Sequence, residues 1–423
     1  MHIPDGYISP LMTLGSGIIT VPVWSMAASR VKRILNNRTI PLLAVFSALN
    51  FTIMMFNVPV PGGTTAHGVG GTLVAIVLGP WAAVLTVSVA LIIQALFFGD
   101  GGILAIFLNC LTMGIVLPFV GYATYRLVAA RSPLLSSRRA WAAGIGGYVG
   151  ISVAALLVGV LLGLQPVFFT DASGRPLYSP YGLDAAVPAM LAAHMFGASI
   201  VEGIITGLGV AYLQKRHPEL LESLKGVFAG EDVDEGVVTG RPLWQVIGAT
   251  VAGGIVVLGA IGIAIGGGDP NHFFGADWSS VSWPDVATML GVSVALALIL
   301  VPIAYLVLPA RWKRVGASFT AIAVLAPLGL IAPGFAYGEG SIGDVQQAFG
   351  YVPQGLRDLS GFFSAPLSGY DIPIAQSDSL VRAAIGYEIA GIIGILLCGL
   401  GVMVVTELIR RIGPNRAPSP EST

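Results

Sequence analysis

Three nitrogen donors sit in the first two residues of this 423-residue chain, Met1-His2-Ile3-Pro4-Asp5-Gly6-Tyr7. The terminal amine of Met1, the amide nitrogen of His2 (once deprotonated) and the His2 ring Nδ1 can close two fused chelate rings on one metal ion. Nitrogens fixed by such rings favour a square plane, the geometry of Ni(II) and Cu(II) sites. The fourth corner must come from elsewhere, and His67 is the candidate. It ends the loop Pro59-Val60-Pro61-Gly62-Gly63-Thr64-Thr65-Ala66-His67-Gly68. The hydroxyls of Thr64 and Thr65 can satisfy freed carbonyls there, or orient the imidazole through its second nitrogen. A terminal histidine or a loop histidine carries little weight alone; two of them on one side of a membrane carry more. No basic start, apolar run and cleavage site precede the motif, so Met1 is expected to remain the amino terminus.

The elements that must position these donors are membrane spans. The chain is 55% hydrophobic and 10% charged, against roughly 25% charged in a soluble domain. Positions 39 to 99 hold no Asp, Glu, Lys or Arg, and at about 20 residues per crossing that stretch contains more than one span. The 56 glycines suit close helix–helix approach in lipid. Cys110 and Cys398 fall inside apolar runs and read as core residues. The net charge of −1 distinguishes no partner. No phosphate-loop motif is present, so nucleotide hydrolysis by the usual route is excluded.

Apolar runs lie at 9–29, 39–58, 68–79, 81–98, 102–125, 140–163, 189–213, 243–266, 286–309, 316–336 and 383–409. Gly79-Pro80 interrupts 68–98, which reads as two crossings or one re-entrant excursion. Lys and Arg mark the cytoplasmic loops. Arg30, Lys32, Arg33 and Arg38, then Arg126 to Arg139, Lys215-Arg216, Arg311 to Arg314 and Arg410-Arg411 all fall inside under one assignment of eleven crossings. That assignment places the amino terminus and the 59–67 loop together outside, and the carboxyl terminus inside. The expectation is an all-α integral membrane protein: a seven-crossing bundle at 1–214, an acidic linker at 215–242 and about four further helices.

The opening hexapeptide, the Pro-Gly-Gly-Thr…His67 loop, the run Gln94 to Gly102, Asn109…Met113-Gly114 and His194…Glu202-Gly203…Thr206 resemble the CbiM/NikM family. These are substrate-specificity components of energy-coupling-factor ABC transporters for Co(II) and Ni(II). The resemblance covers residues 1–214 and implies that Met1, His2 and His67 hold the transported Ni(II) or Co(II), with no organic cofactor. It implies a CbiQ/NikQ-like transmembrane coupling subunit, two cytoplasmic CbiO/NikO-like ATPases, no nucleic acid, and a bacterial or archaeal cytoplasmic membrane. The family loop reads Thr-Ser-Gly-His-Leu where this chain has Thr64-Thr65-Ala66-His67-Gly68. Residues 311–411 resemble, more loosely, the accessory region that accompanies these permeases, with Pro353-Gln354-Gly355-Leu356-Arg357 standing where the family has Pro-Asp-Gly-Leu-Glu. The hairpin at 243–310 has no assigned role, and 412–423 reads as a cytoplasmic tail.

Intramembrane polar groups are functional by default. Asn109, His194 and Glu202, with Thr64 and Thr65, form the expected surround of the pocket; the competing reading is that they bond across helices and hold the bundle together. His194 and Glu202 stand eight residues apart, about 80° around a helix, so a common partner is open to them. Asp5 is expected to cap the turn through Gly6. Two rival functions predict other features: a self-sufficient secondary transporter or channel needs titratable relays and repeated halves, and a membrane enzyme needs an open coordination position.

Overall fold

The computed structural model describes residues 1–36, 39–60, 64–222, 338–372 and 380–411, with scattered positions between 284 and 326. Most of the expected hairpin at 243–310, most of the acidic linker and the tail at 412–423 lie outside the described residues. In chain order the elements are α1 (Pro10–Lys32), α2 (Thr39–Met55), β1 (Asn57–Val60), β2 (Thr64–His67), α3 (Gly71–Leu78), α4 (Pro80–Phe98) and α5 (Ile106–Ala129). They continue with α6 (Ser137–Phe168), α7 (Leu183–Arg216), α8 (Pro218–Glu222), α9 (Ile342–Phe349), α10 (Gln354–Leu359) and α11 (Leu380–Arg411). The protein is an all-α integral membrane protein; among the described residues six helices, α1, α4, α5, α6, α7 and α11, are long and apolar enough to cross a membrane, and α2 is shorter.

Helix α1 begins where Ser9 accepts the amide of Met12 and Pro10 occupies the first turn. Arg30 and Lys32 close its last turn, where the helix dipole favours cations. Of the two alternatives for 68–98, the apolar run at 68–79 is too short in helix for a crossing of its own, as a re-entrant excursion would be. Only eight residues of it, α3, are helical, about 12 Å of rise against a hydrocarbon core of about 30 Å. The loop before α3 is a two-stranded antiparallel hairpin, with Asn57 opposite His67 and Val60 opposite Thr64. Valines alternate with prolines in the first strand and two threonines open the second, and Val60 and Ala66 are packed into the core.

Glycines bring the last helices together. A Cβ added to Gly144 or Gly203 would stand 3.1 or 3.0 Å from the other's carbonyl oxygen, so α6 and α7 meet backbone to backbone. Among the described residues three helices carry a π-helical turn, at Gln94–Phe98, Cys110–Val116 and His194–Ala198; such turns recur at functional sites. Helix α11 packs on α2, where Tyr387 donates to the Met55 carbonyl at 2.7 Å. The segment 338–372 lies over the chain start. Tyr7 donates to the Gly340 carbonyl at 2.7 Å, and the amide of Leu367 donates to the Phe97 carbonyl at 2.9 Å.

Candidate metal centre

The amino-terminal residues are pinned inside the protein. Met1 is 4% exposed and His2 3%. Asn109, buried at the start of the π turn in α5, clamps the backbone just beyond them: its Oδ1 accepts the Ile3 amide at 2.9 Å and its Nδ2 donates to the Ile3 carbonyl at 3.1 Å. Gly102 adds a bond from its amide to the same carbonyl at 2.8 Å. Asp5 does not cap its own turn. Its carboxylate accepts the amides of Ile103 and Leu104 at 3.2 and 2.8 Å, because the loop after α4 folds directly over it. Burial pushes the Asp5 carboxyl up, and those amide bonds pull it back in part. The loop can come this close because Gly101, at φ +88°, bears no side chain; a Cβ there would stand 3.0 Å from Asn109 Nδ2 and 3.5 Å from His2 Cβ.

His2 and His67 meet. Their rings stack with centroids 4.9 Å apart and planes 20° from parallel, and Nε2 of each is buried without a hydrogen-bond partner. His67 lies at the end of β2, and its Nδ1 donates to the Gly68 carbonyl at 2.9 Å. That carbonyl takes the place expected of a threonine hydroxyl. Burial holds the His67 pKa well below the usual histidine value, and the terminal amine and His2 push the same way; Asp100 and the Gly68 bond oppose them.

Two carboxylates hold the donors. Nδ1 of His2 pairs with Asp100 Oδ1 at 2.8 Å, and the terminal ammonium pairs with Glu339 Oε1 at 3.2 Å. Burial alone would raise the Asp100 carboxyl, but the charge and hydrogen bond of His2, with help from His67 and the Tyr370 hydroxyl, bring it below the usual range. Tyr370 stacks on Phe98 and donates its hydroxyl to Asp100 Oδ2, which also accepts Gln94 Nε2 at 3.1 Å. Beside this arrangement a cavity of about 260 Å³ is lined by Pro4, Gly101, Glu339, Leu356 and Phe363 among others.

From the sequence Asp100, with Gln94, is open to either a bundle-holding or a pocket-lining role, whereas Glu339 and Tyr370 are not expected near the donors. Asp100 had a signal, standing in the turn-rich run Gly99-Asp100-Gly101-Gly102. Glu339 and Tyr370 had none, being more than 300 and 250 residues from Met1 and Asp100. His194 and Glu202 share no partner: His194 Nδ1 bonds the Met190 carbonyl, while Glu202 reaches the backbone after His67, because the π turn between them rotates one away from the other.

Polar and ionisable groups inside a helical membrane protein mark a functional site by default, and here the amino terminus and two facing imidazoles are buried together. Residues 2–220 match the family described as CbiM, cobalt uptake substrate-specific transmembrane region, and the chain belongs to that family. Over 98% of its length it is 36% identical to the fused nickel transport protein NikMN of Rhodobacter capsulatus, all of which is covered. A probable fused nickel transport protein, LarMN of Lactiplantibacillus plantarum, is 48% identical over 52% of this chain and 66% of its own. A solved structure described as a truncated transition metal transporter is 52% identical over 51% of this chain and all of its own, with a TM-score of 0.49.

Proposed function

We propose that this chain is the substrate-binding subunit for uptake of Ni(II) or Co(II) by an energy-coupling-factor transporter. As a CbiM-family member it is a cobalt/nickel transport component, and the relative similar along its whole length is named for nickel. The donors are the Met1 amine, the His2 amide nitrogen, His2 Nδ1 and His67 Nε2, closing a square plane. The observation that carries this reading is the stacked pair of buried imidazoles beside the buried terminal amine, with Nε2 of His67 unpartnered. Capture then exchanges partners: His2 Nδ1 leaves Asp100 and the amine leaves Glu339 as both turn to the metal. The ligands must shed protons, so uptake affinity falls with pH.

In this reading residues 1–214 form the permease module, 215–242 the linker to the tail, 243–310 a hairpin without an assigned role, and 311–411 the fused accessory region. Charge places the amino terminus outside the cytoplasmic membrane and the carboxyl terminus inside. Release to the cytoplasm and the energy for it come from a separate coupling subunit and two ATPases. The test compares Ni(II) binding by the purified chain with that of a chain carrying one extra residue ahead of Met1. High-affinity binding is expected to vanish in the extended chain; equal affinity refutes the chelate.

A further inference from the structure

Glu202 is buried completely, on α7, with no cation beside it among the described hydrogen bonds and ion pairs. Its Oε2 accepts the amides of Val69 and Gly70, each at 2.7 Å, and Oε1 lies 3.5 Å from the amide of Thr72. The first of these amides belongs to the peptide joining Gly68 to Val69. The carbonyl of that same peptide accepts the Nδ1 proton of His67 at 2.9 Å. A carbonyl has no proton to give, so His67 carries its hydrogen on Nδ1 and keeps the lone pair of its buried Nε2 free beside His2.

The arrangement is therefore a line: carboxylate, amide N–H, carbonyl, imidazole N–H, free nitrogen. Hydrogen bonds in such a line polarise one another. Gly68 makes room for it, since a Cβ there would stand 3.2 Å from Glu202 Oε2 and 3.1 Å from Ile53. Asn50 holds the next peptide, donating to the Val69 carbonyl at 2.7 Å. Glycine on α6 lets α7 settle at this depth, because a Cβ on Gly147 would meet the Glu202 carbonyl at 2.9 Å.

We infer that Glu202 is a positioning residue for metal capture, fixing the tautomer and aim of His67 through the 68–69 peptide. The inference rests on the proposed site, with His67 as a ligand. It also makes α7 a mechanical partner of the site: displacement of that helix relative to the hairpin withdraws one corner of the metal's plane.

The test is a double-mutant cycle on the full chain, read as Ni(II) affinity and as the visible absorption of bound Ni(II). Glu202→Gln keeps the volume but turns an amide donor toward backbone donors. It is expected to weaken Ni(II) binding about 10- to 100-fold, as loss of a partner behind a ligand does, and to move the absorption band toward that of His67→Ala. In the His67→Ala background the same change is expected to have less than about a twofold effect, since residues acting through one group are non-additive. An equal loss in both backgrounds, or none in the wild type, overturns the inference while leaving the site intact. If His67→Ala itself binds Ni(II) as the wild type does, the site and the inference fall together. Should Glu202→Gln not accumulate, Glu202→Asp, which withdraws the carboxylate by one methylene, carries the same cycle with the same outcomes.

Discussion

Replacing Asn109 by alanine tests how the chain start is held. Asn109 is 1% exposed, and its amide makes two bonds to Ile3, the residue after the proposed chelate. Alanine removes both and leaves a buried amide and part of a buried carbonyl without their partner; Gly102 still reaches the carbonyl. A neutral hydrogen bond is worth about 1 kcal/mol and an orphaned buried group costs about 1–3 kcal/mol, so the docked start is destabilised by about 2–4 kcal/mol. If the whole of that cost falls on docking, and metal binds only the docked form, Ni(II) affinity drops by roughly 30- to 700-fold. The measurement is competition against a chelator of known strength, beside thermal unfolding of the metal-free protein in detergent. The melt shows whether the bundle stays folded, since Ile3 itself is packed in the main core. An Asn109→Ala protein that binds Ni(II) within twofold of wild type, while remaining folded, shows that the start is fixed by other contacts and refutes the reasoning.

Two further outcomes are expected. Tyr370→Phe keeps the ring on Phe98 but deprives the Asp100 carboxylate of a hydroxyl donor, so it is expected to cost about 1.5–3 kcal/mol, more than the roughly 1 kcal/mol for Tyr387→Phe, whose hydroxyl has only neutral partners in the Met55 carbonyl and the Asn57 side chain; thermal unfolding of the two variants checks the order, and a larger shift for Tyr387→Phe refutes it. His67 is held below its ordinary pKa of 6.5 and Asp100 below its ordinary 3.8. The unfolded chain thus takes up protons that the folded chain refuses, and metal-free stability is complete above the first value and falls as pH drops below it, with Asp100 adding further loss below the second. Melting temperature followed from roughly pH 8 to 5 is expected to lose more toward acid in the wild type than in His67→Ala; an equal or greater loss in His67→Ala contradicts the direction of the His67 shift.

The chemistry of the site was more legible in the sequence than its support. Met1, His2 and His67 stand out because their atoms can chelate whatever fold surrounds them, and the spans stand out because apolar length is a one-dimensional property. The brevity of α3 is not of that kind: residues 68–79 carry no charge and one polar side chain, Thr72, and the hairpin that brings His67 beside His2 leaves eight of them helical. The hairpin itself was hidden by Pro59 and Pro61, which read as irregular backbone although they flank strand-forming valines. Asn109, Glu202 and Asp100 were visible as costly polar residues, but their partners are backbone groups and a ring brought near by tertiary packing, and no spacing rule predicts these. Glu202 could not be aimed by helical arithmetic at all, since a π turn intervenes between it and His194.

The burial of Met1 makes its amine a reporter as well as a donor. An acylating reagent in the surrounding buffer can reach that nitrogen only when the first residues swing out, so the labelling rate counts openings in the way that amide exchange counts local unfolding. Bound substrate is expected to slow the reaction, and severing the Glu339 contact to hasten it, which turns a question about a single ion pair into a kinetic trace readable by mass spectrometry.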